Sequence, residues 1–175
     1  AFENVDTVHY RGFDLFEEAT DATDQEEFNV KKHFSEKDVN EKLTAFANSV
    51  NEADDEKQFT FCLIKGNTRQ TLKIVSNTDA CNSKNIKPDF AFIDGGHSLK
   101  TIEHDYNKLA HVPIVVFDDY YRPDEEGKIP DIKKVGCNIL FEELDVKDSK
   151  KFLISSDDHV ADGGCVGFGV IIHDP

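Results

Sequence analysis

The stretch DFAFIDGGHSLKTIEHDYNKLAHVPIVVFDDYY, residues 89–121, decides the fold. Its opening residues, Asp89–Ile93, form a short, nearly continuous apolar run of the kind that a parallel sheet buries on both faces. The run stops at the turn Asp94-Gly95-Gly96-His97, and Ser98 stands where an N-cap belongs, opening a helical pattern that reaches about Ala110. A second apolar run, Val112–Phe117, ends in Asp118-Asp119. Strand, helix and strand in this order specify an α/β domain with a mostly parallel sheet, because parallel neighbours need crossover connections.

The flanking sequence repeats the pattern. Upstream, Thr7–Phe13 has the β-branched and aromatic content of a strand and runs into Asp14. The segment Ala19–Asn29 is polar and acidic without clear period, whereas Ser35 caps a helix to about Asn51, with Val39, Leu43, Phe46 and Val50 on one face. Phe59–Lys65 is a second strand, stopped by Gly66-Asn67; Thr71–Val75 begins a short helix, and Ser76–Pro88 reads as a loop. Downstream, a loop with Arg122, Pro123 and Gly127 leads to a helix around Asp131–Leu144. Phe152–Ser156 and Cys165–His173 then form an antiparallel strand pair.

Open α/β sheets bind ligands beyond the carboxyl ends of their strands. The groups found there are Asp14, Asn67, Asp94 to His97, and Asp118-Asp119. If the strands 89–93 and 112–117 are neighbours, Asp94, Asp118 and Asp119 crowd one crevice. Like charges that close call for a cation, and hard oxygen donors suit Mg²⁺, Ca²⁺ or Mn²⁺ rather than a soft metal. The same acids also suit helix N-termini and turns, where the dipole favours negative charge. His97, on the opening turn of a helix, is a candidate base, or else a solvated residue; Asp105, two turns on, reads as a surface acid. Asp14 sits where a carboxylate can accept bonds from two ribose hydroxyls, and Asn67 can offer its amide to an adenine edge. Each also suits a simple turn.

With 35 acidic and 20 basic residues in 175, the chain carries a net charge of −15, which argues against binding nucleic acid or an anionic membrane by bulk electrostatics and leaves only a local basic patch for it. No apolar run approaches the ~20 residues of a membrane helix, so a cytoplasmic protein is expected. Cys62, Cys81, Cys137 and Cys165 form no CxxC pair, and reduced, mostly buried thiols are expected. No methionine occurs, even at position 1, from which an upstream segment is expected.

In order, YRGFDLFEE, FCLIKGNTRQTL, DFAFIDGGHSLKTIEHD and IVVFDDYYR resemble the class I S-adenosylmethionine-dependent methyltransferases, nearest to the macrocin O-methyltransferase type that acts on small molecules. The likeness runs from about Val8 to Tyr121, and the closing strand pair fits it. It implies a Rossmann-like, seven-stranded sheet with one antiparallel strand, S-adenosylmethionine over the strand ends, and Mg²⁺ or another divalent ion held by acids after the fourth and fifth strands. Carried over, Asp14, Asn67 and Asp94 bind the cofactor, with Asp14 on the ribose and Asn67 beside adenine. Asp94, Asp118 and Asp119 are the metal ligands. The activity implied is metal-assisted O-methylation of a small-molecule hydroxyl, without nucleic acid or membrane, in a single α/β domain spanning 1–175 that can form a homo-oligomer.

The family's first strand and glycine-rich loop have no counterpart before Thr7, so the first βα unit is expected to be absent and the domain incomplete at its N-terminus. Gly96 occupies the place of the acid that serves macrocin-type enzymes as base, which leaves that part to His97. Substrate choice is expected in the segments Glu17–Phe34 and Arg122–Pro130. A non-catalytic Rossmann-like domain that binds a nucleotide or partner is the alternative, and Mg-dependent phosphate chemistry a lesser one.

Overall fold

The computed structural model describes residues 5–27, 33–75, 87–128, 136–145, 149–159 and 164–173, with backbone alone for 73–75 and 156–159. Most of the expected loop Ser76–Pro88, the start of the expected helix at Asp131 and parts of both substrate-choice segments lie outside the described residues. The chain divides into two compact units, Ala1–Asp21 with Lys31–Ser83, and Ala22–Val30 with Lys84–Pro175.

In the first unit, β1 (Thr7–Asp14) and β2 (Gln58–Lys65) pair in parallel, with Asp14 opposite Lys65. The crossover contains α2 (Glu36–Ala53), started by Ser35, whose Oγ accepts the Asp38 N–H at 3.1 Å. Its apolar face buries Ala47. Phe46, expected on that face, remains 46% exposed while meeting Phe59 edge-on at 5.0 Å. Gly66, at φ +132°, makes the turn out of β2, a conformation open essentially to glycine alone, and its N–H donates to Asp14 O. α3 (Thr68–Val75) starts three residues before its expected position, because Asn67 caps it.

In the second unit the polar stretch without clear period forms α1 (Asp21–Glu27, of which Asp21 belongs to the first unit). None of its residues is buried, so it has no apolar stripe to read. The sheet has the order β3-β4-β6-β5, built from β3 (Phe90–Ile93), β4 (Ile114–Arg122), β5 (Ser149–His159) and β6 (Cys165–His173). β3 and β4 are parallel, and β6 pairs antiparallel with both β4 and β5. Three strands therefore share a direction and β6 alone opposes them. The expected antiparallel closing pair is present, longer at its first strand.

α4 (Leu99–Leu109), capped by Ser98, and α5 (Gly136–Glu143) cover one face. The core there is Ala91, Ile93, Val115, Phe117 and Ile171 against Ile102, Tyr106, Cys137, Leu140 and Phe141. Lys151 Nζ, at 2.5 Å from Phe141 O and 3.2 Å from Leu144 O, closes the C-terminal end of α5, where the dipole favours a cation. β3 is not buried on both faces as its apolar run suggests. Ala91 and Ile93 are buried while Phe90 and Phe92 are 55% and 48% exposed, since strand side chains alternate and the helices cover one side.

Two further expectations are corrected. Asp105 is not a surface acid: it is 4% exposed, because it shares a helical face with Ile102 and Tyr106, and it pairs with His104 Nδ1 at 3.1 Å. Cys62 is disulfide-bonded, whereas Cys137 and Cys165 are in no disulfide; Cys81 lies outside the described residues. Among the described residues no helix is long and apolar enough to cross a membrane.

Candidate functional site

The parallel pairing of β3 with β4 stops at Ile93 opposite Phe117, and the next residue on each chain segment is an acid; β4 itself does not end there as its apolar run suggests but continues through Asp118 and Asp119 to Arg122, paired with β6. Oxygen atoms of Asp94, Asp118 and Asp119 lie within 4.8 Å of one another. The second and third of these acids sit in a β-bulge, where the register with β6 shifts between Phe117 and Tyr120. Asp119 takes φ +55°, a left-handed conformation uncommon for a residue with a Cβ. A bulge adds a residue and re-aims its side chain, and this one turns two successive carboxylates toward the end of β3.

His97 joins the group, with Nδ1 3.3 Å from Asp119 Oδ2, and the Tyr121 hydroxyl donates to Asp119 Oδ1 at 3.3 Å. Burial first, and then the Asp119 carboxylate, push the Tyr121 hydroxyl far above the ordinary tyrosine range, so it stays a donor. The Tyr121 peptide is clamped by Asn138 of α5, whose Oδ1 accepts the Tyr121 N–H at 3.0 Å while its Nδ2 donates to the Tyr121 carbonyl at 2.8 Å. The cleft is completed by Ile93, Ile102 and the fully buried Cys137. The Cys137 thiol is pushed well up, by burial and then by the charges of Asp119 and Asp118, and is held neutral. Three carboxylates over an apolar floor form a donor set suited to a hard divalent cation.

Asp14 and Asn67 belong to the first unit, and both do local work there. Asp14 Oδ1 accepts the Phe16 N–H at 2.6 Å, supporting the positive φ of Phe16, and Asn67 Oδ1 accepts the Arg69 N–H at 2.9 Å. These are the turn and cap roles that short polar side chains take after strands. Near them Lys65 is ringed by Glu17, Glu18 and Glu36, and its bond to Glu17 holds that carboxyl down at about 2.

Tyr121, Cys137 and Asn138 are not singled out as site residues by the sequence, nor is Glu27, whose carboxylate accepts the Ser98 N–H beside His97. Tyr121 carried a usable signal, standing two residues beyond Asp119 on the same strand. The others are far away in sequence and reach the site through α5 and α1. Comparisons with protein-family models, with characterised proteins and with solved structures give no match to this chain.

Proposed function

We propose that this chain is an S-adenosylmethionine-dependent O-methyltransferase domain that acts on a small-molecule hydroxyl with the help of a divalent metal ion. The observation that carries this reading is the convergence of Asp94, just after β3, with Asp118 and Asp119 in the bulge of the neighbouring parallel strand β4, with His97 against Asp119. A sheet in which one strand alone runs against the others agrees with it, as do the motifs in YRGFDLFEE and DFAFIDGGH.

In this reading the three aspartates hold the ion, while Asp14 and Asn67 serve the ribose and adenine of the cofactor. When bound, the ion supplies Lewis acidity that lowers the pKa of an acceptor hydroxyl. His97 takes the proton: with Nδ1 turned to Asp119, Nε2 is the basic nitrogen, and Asp119 stabilises the imidazolium that forms. Tyr121 keeps the Asp119 carboxylate oriented. The remaining contribution is positioning of the acceptor oxygen in line with the methyl group.

Calorimetry with Mg²⁺ or Mn²⁺ and with S-adenosylmethionine tests the reading. Binding of both, and retention of metal but loss of methyl transfer in His97→Ala, is the expected result; normal turnover in His97→Ala removes it as base. Absence of both binding events favours a non-catalytic nucleotide- or partner-binding domain.

A further inference from the structure

The glycine turn that carries His97 is held from a distant part of the chain. α1 belongs to the second unit although the segments on either side of it, up to Asp21 and from Lys31, belong to the first. Its last residue, Glu27, makes three bonds to the start of α4. Glu27 Oε2 accepts the Ser98 N–H at 3.1 Å, Oε1 accepts the Thr101 hydroxyl at 2.6 Å, and its carbonyl accepts the His97 N–H at 3.2 Å. The His97 carbonyl is held in turn by the Gly136 N–H at 2.7 Å, so the peptide groups on both sides of His97 are fastened to other elements. A Cβ on Gly96 would overlap the Glu27 carboxylate, so glycine at 96 is what lets the acid lie against the turn.

We propose that Glu27 is the positioning residue of the site, setting the 95–98 turn and with it the His97 ring and the Asp94 carboxylate beside Asp118 and Asp119. A carboxylate at the first turn of a helix is favoured by the dipole, and bonds that are charge-assisted are the stronger kind. The inference rests on the proposed metal-assisted reading for its consequence, but not for its geometry. Glutamine at 27 preserves the geometry without the charge, its Oε1 accepting from Ser98 and its Nε2 donating to the Thr101 hydroxyl; alanine preserves neither.

The test compares the parent chain with Glu27→Ala and Glu27→Gln in three measurements: Mn²⁺ affinity by electron paramagnetic resonance, exchange of the His97 and Ser98 amides, and the ¹⁵N shifts of the His97 ring. Glu27→Ala is expected to weaken Mn²⁺ by about 10-fold or more, the scale seen when an outer-shell partner is lost. It also speeds Ser98 amide exchange on the order of 10-fold. Glu27→Gln is expected to stay close to the parent in all three. Equal Mn²⁺ losses in both variants would mean that charge alone acts and would overturn positioning, as would unchanged exchange and ring shifts in Glu27→Ala. If the parent chain binds no Mn²⁺, the metal reading fails, and amide exchange and ring shifts still decide whether Glu27 sets the turn.

Discussion

Replacing Gly136 with alanine puts the packing of α5 on the glycine turn to a quantitative test. Gly136 begins α5 where it touches the first turn of α4, and an added Cβ would stand 2.5 Å from Leu99 Cα and 2.7 Å from the Ser98 carbonyl carbon. Ordinary carbon contacts are about 3.5–4.0 Å, so α5 has to withdraw by roughly 1 Å. The obstructing atoms are backbone and cannot swing aside. Such overpacking costs about 1–3 kcal/mol, against a gain of at most about 1 kcal/mol from replacing glycine by alanine in a helix. That gain shrinks at a helix's first residue, and withdrawal also stretches the 2.7 Å bond from Gly136 N–H to His97 O, worth about 1 kcal/mol. The net expectation is a loss of about 1–2 kcal/mol, read as a lower urea midpoint in circular dichroism and a Tm lower by about 2–8 °C. The His97 amide resonance should shift as well. An unchanged or raised midpoint would refute the steric reasoning, and with it the claim that α5 holds the turn.

Asp118→Asn and Asp119→Asn should each reduce Mg²⁺ or Mn²⁺ affinity by at least about tenfold in calorimetry, since each removes an anionic ligand; unchanged affinity moves the metal elsewhere. Asp14→Ala should weaken S-adenosylmethionine by on the order of 1–3 kcal/mol through loss of charge-assisted bonds, and unchanged affinity takes Asp14 out of the cofactor site. Tyr120 provides a pH test: burial, and then its bond to Glu142, raise its hydroxyl from 10.0 to about 12. A raised pKa adds stability that is full below pH 10 and fades as pH climbs through about 12, so stability should fall across that window. In Tyr120→Phe the fall should shrink, and an alkaline titration of stability identical to the parent's would exclude Tyr120 as its source.

Much of the scaffold is legible because its cues are local. Ser35 and Ser98 announce their helices, since an N-cap acts within one turn, and both do cap in the folded chain. The apolar runs before Asp94 and Asp118 identify β3 and β4, with the acids following directly. α1 escapes such reading because a helix with no buried residue carries no period. Asp105 is misread because helical position relative to a core is invisible until the core is located. The Cys62 disulfide is likewise outside what spacing reveals.

The sequence by itself determines which chemical groups stand at the ends of the strands, because each is adjacent in the chain to the apolar run that forms its strand. Only the tertiary structure decides how they are used. Strand order puts β3 beside β4, and the bulge at Asp119 turns its carboxylate to His97. Glu27, 70 residues before His97 in the numbering, is brought to the same turn by hydrogen bonds that no periodicity encodes. Local propensities act over a few residues, whereas a site is assembled by non-local burial, and that is settled when the helices pack on the sheet.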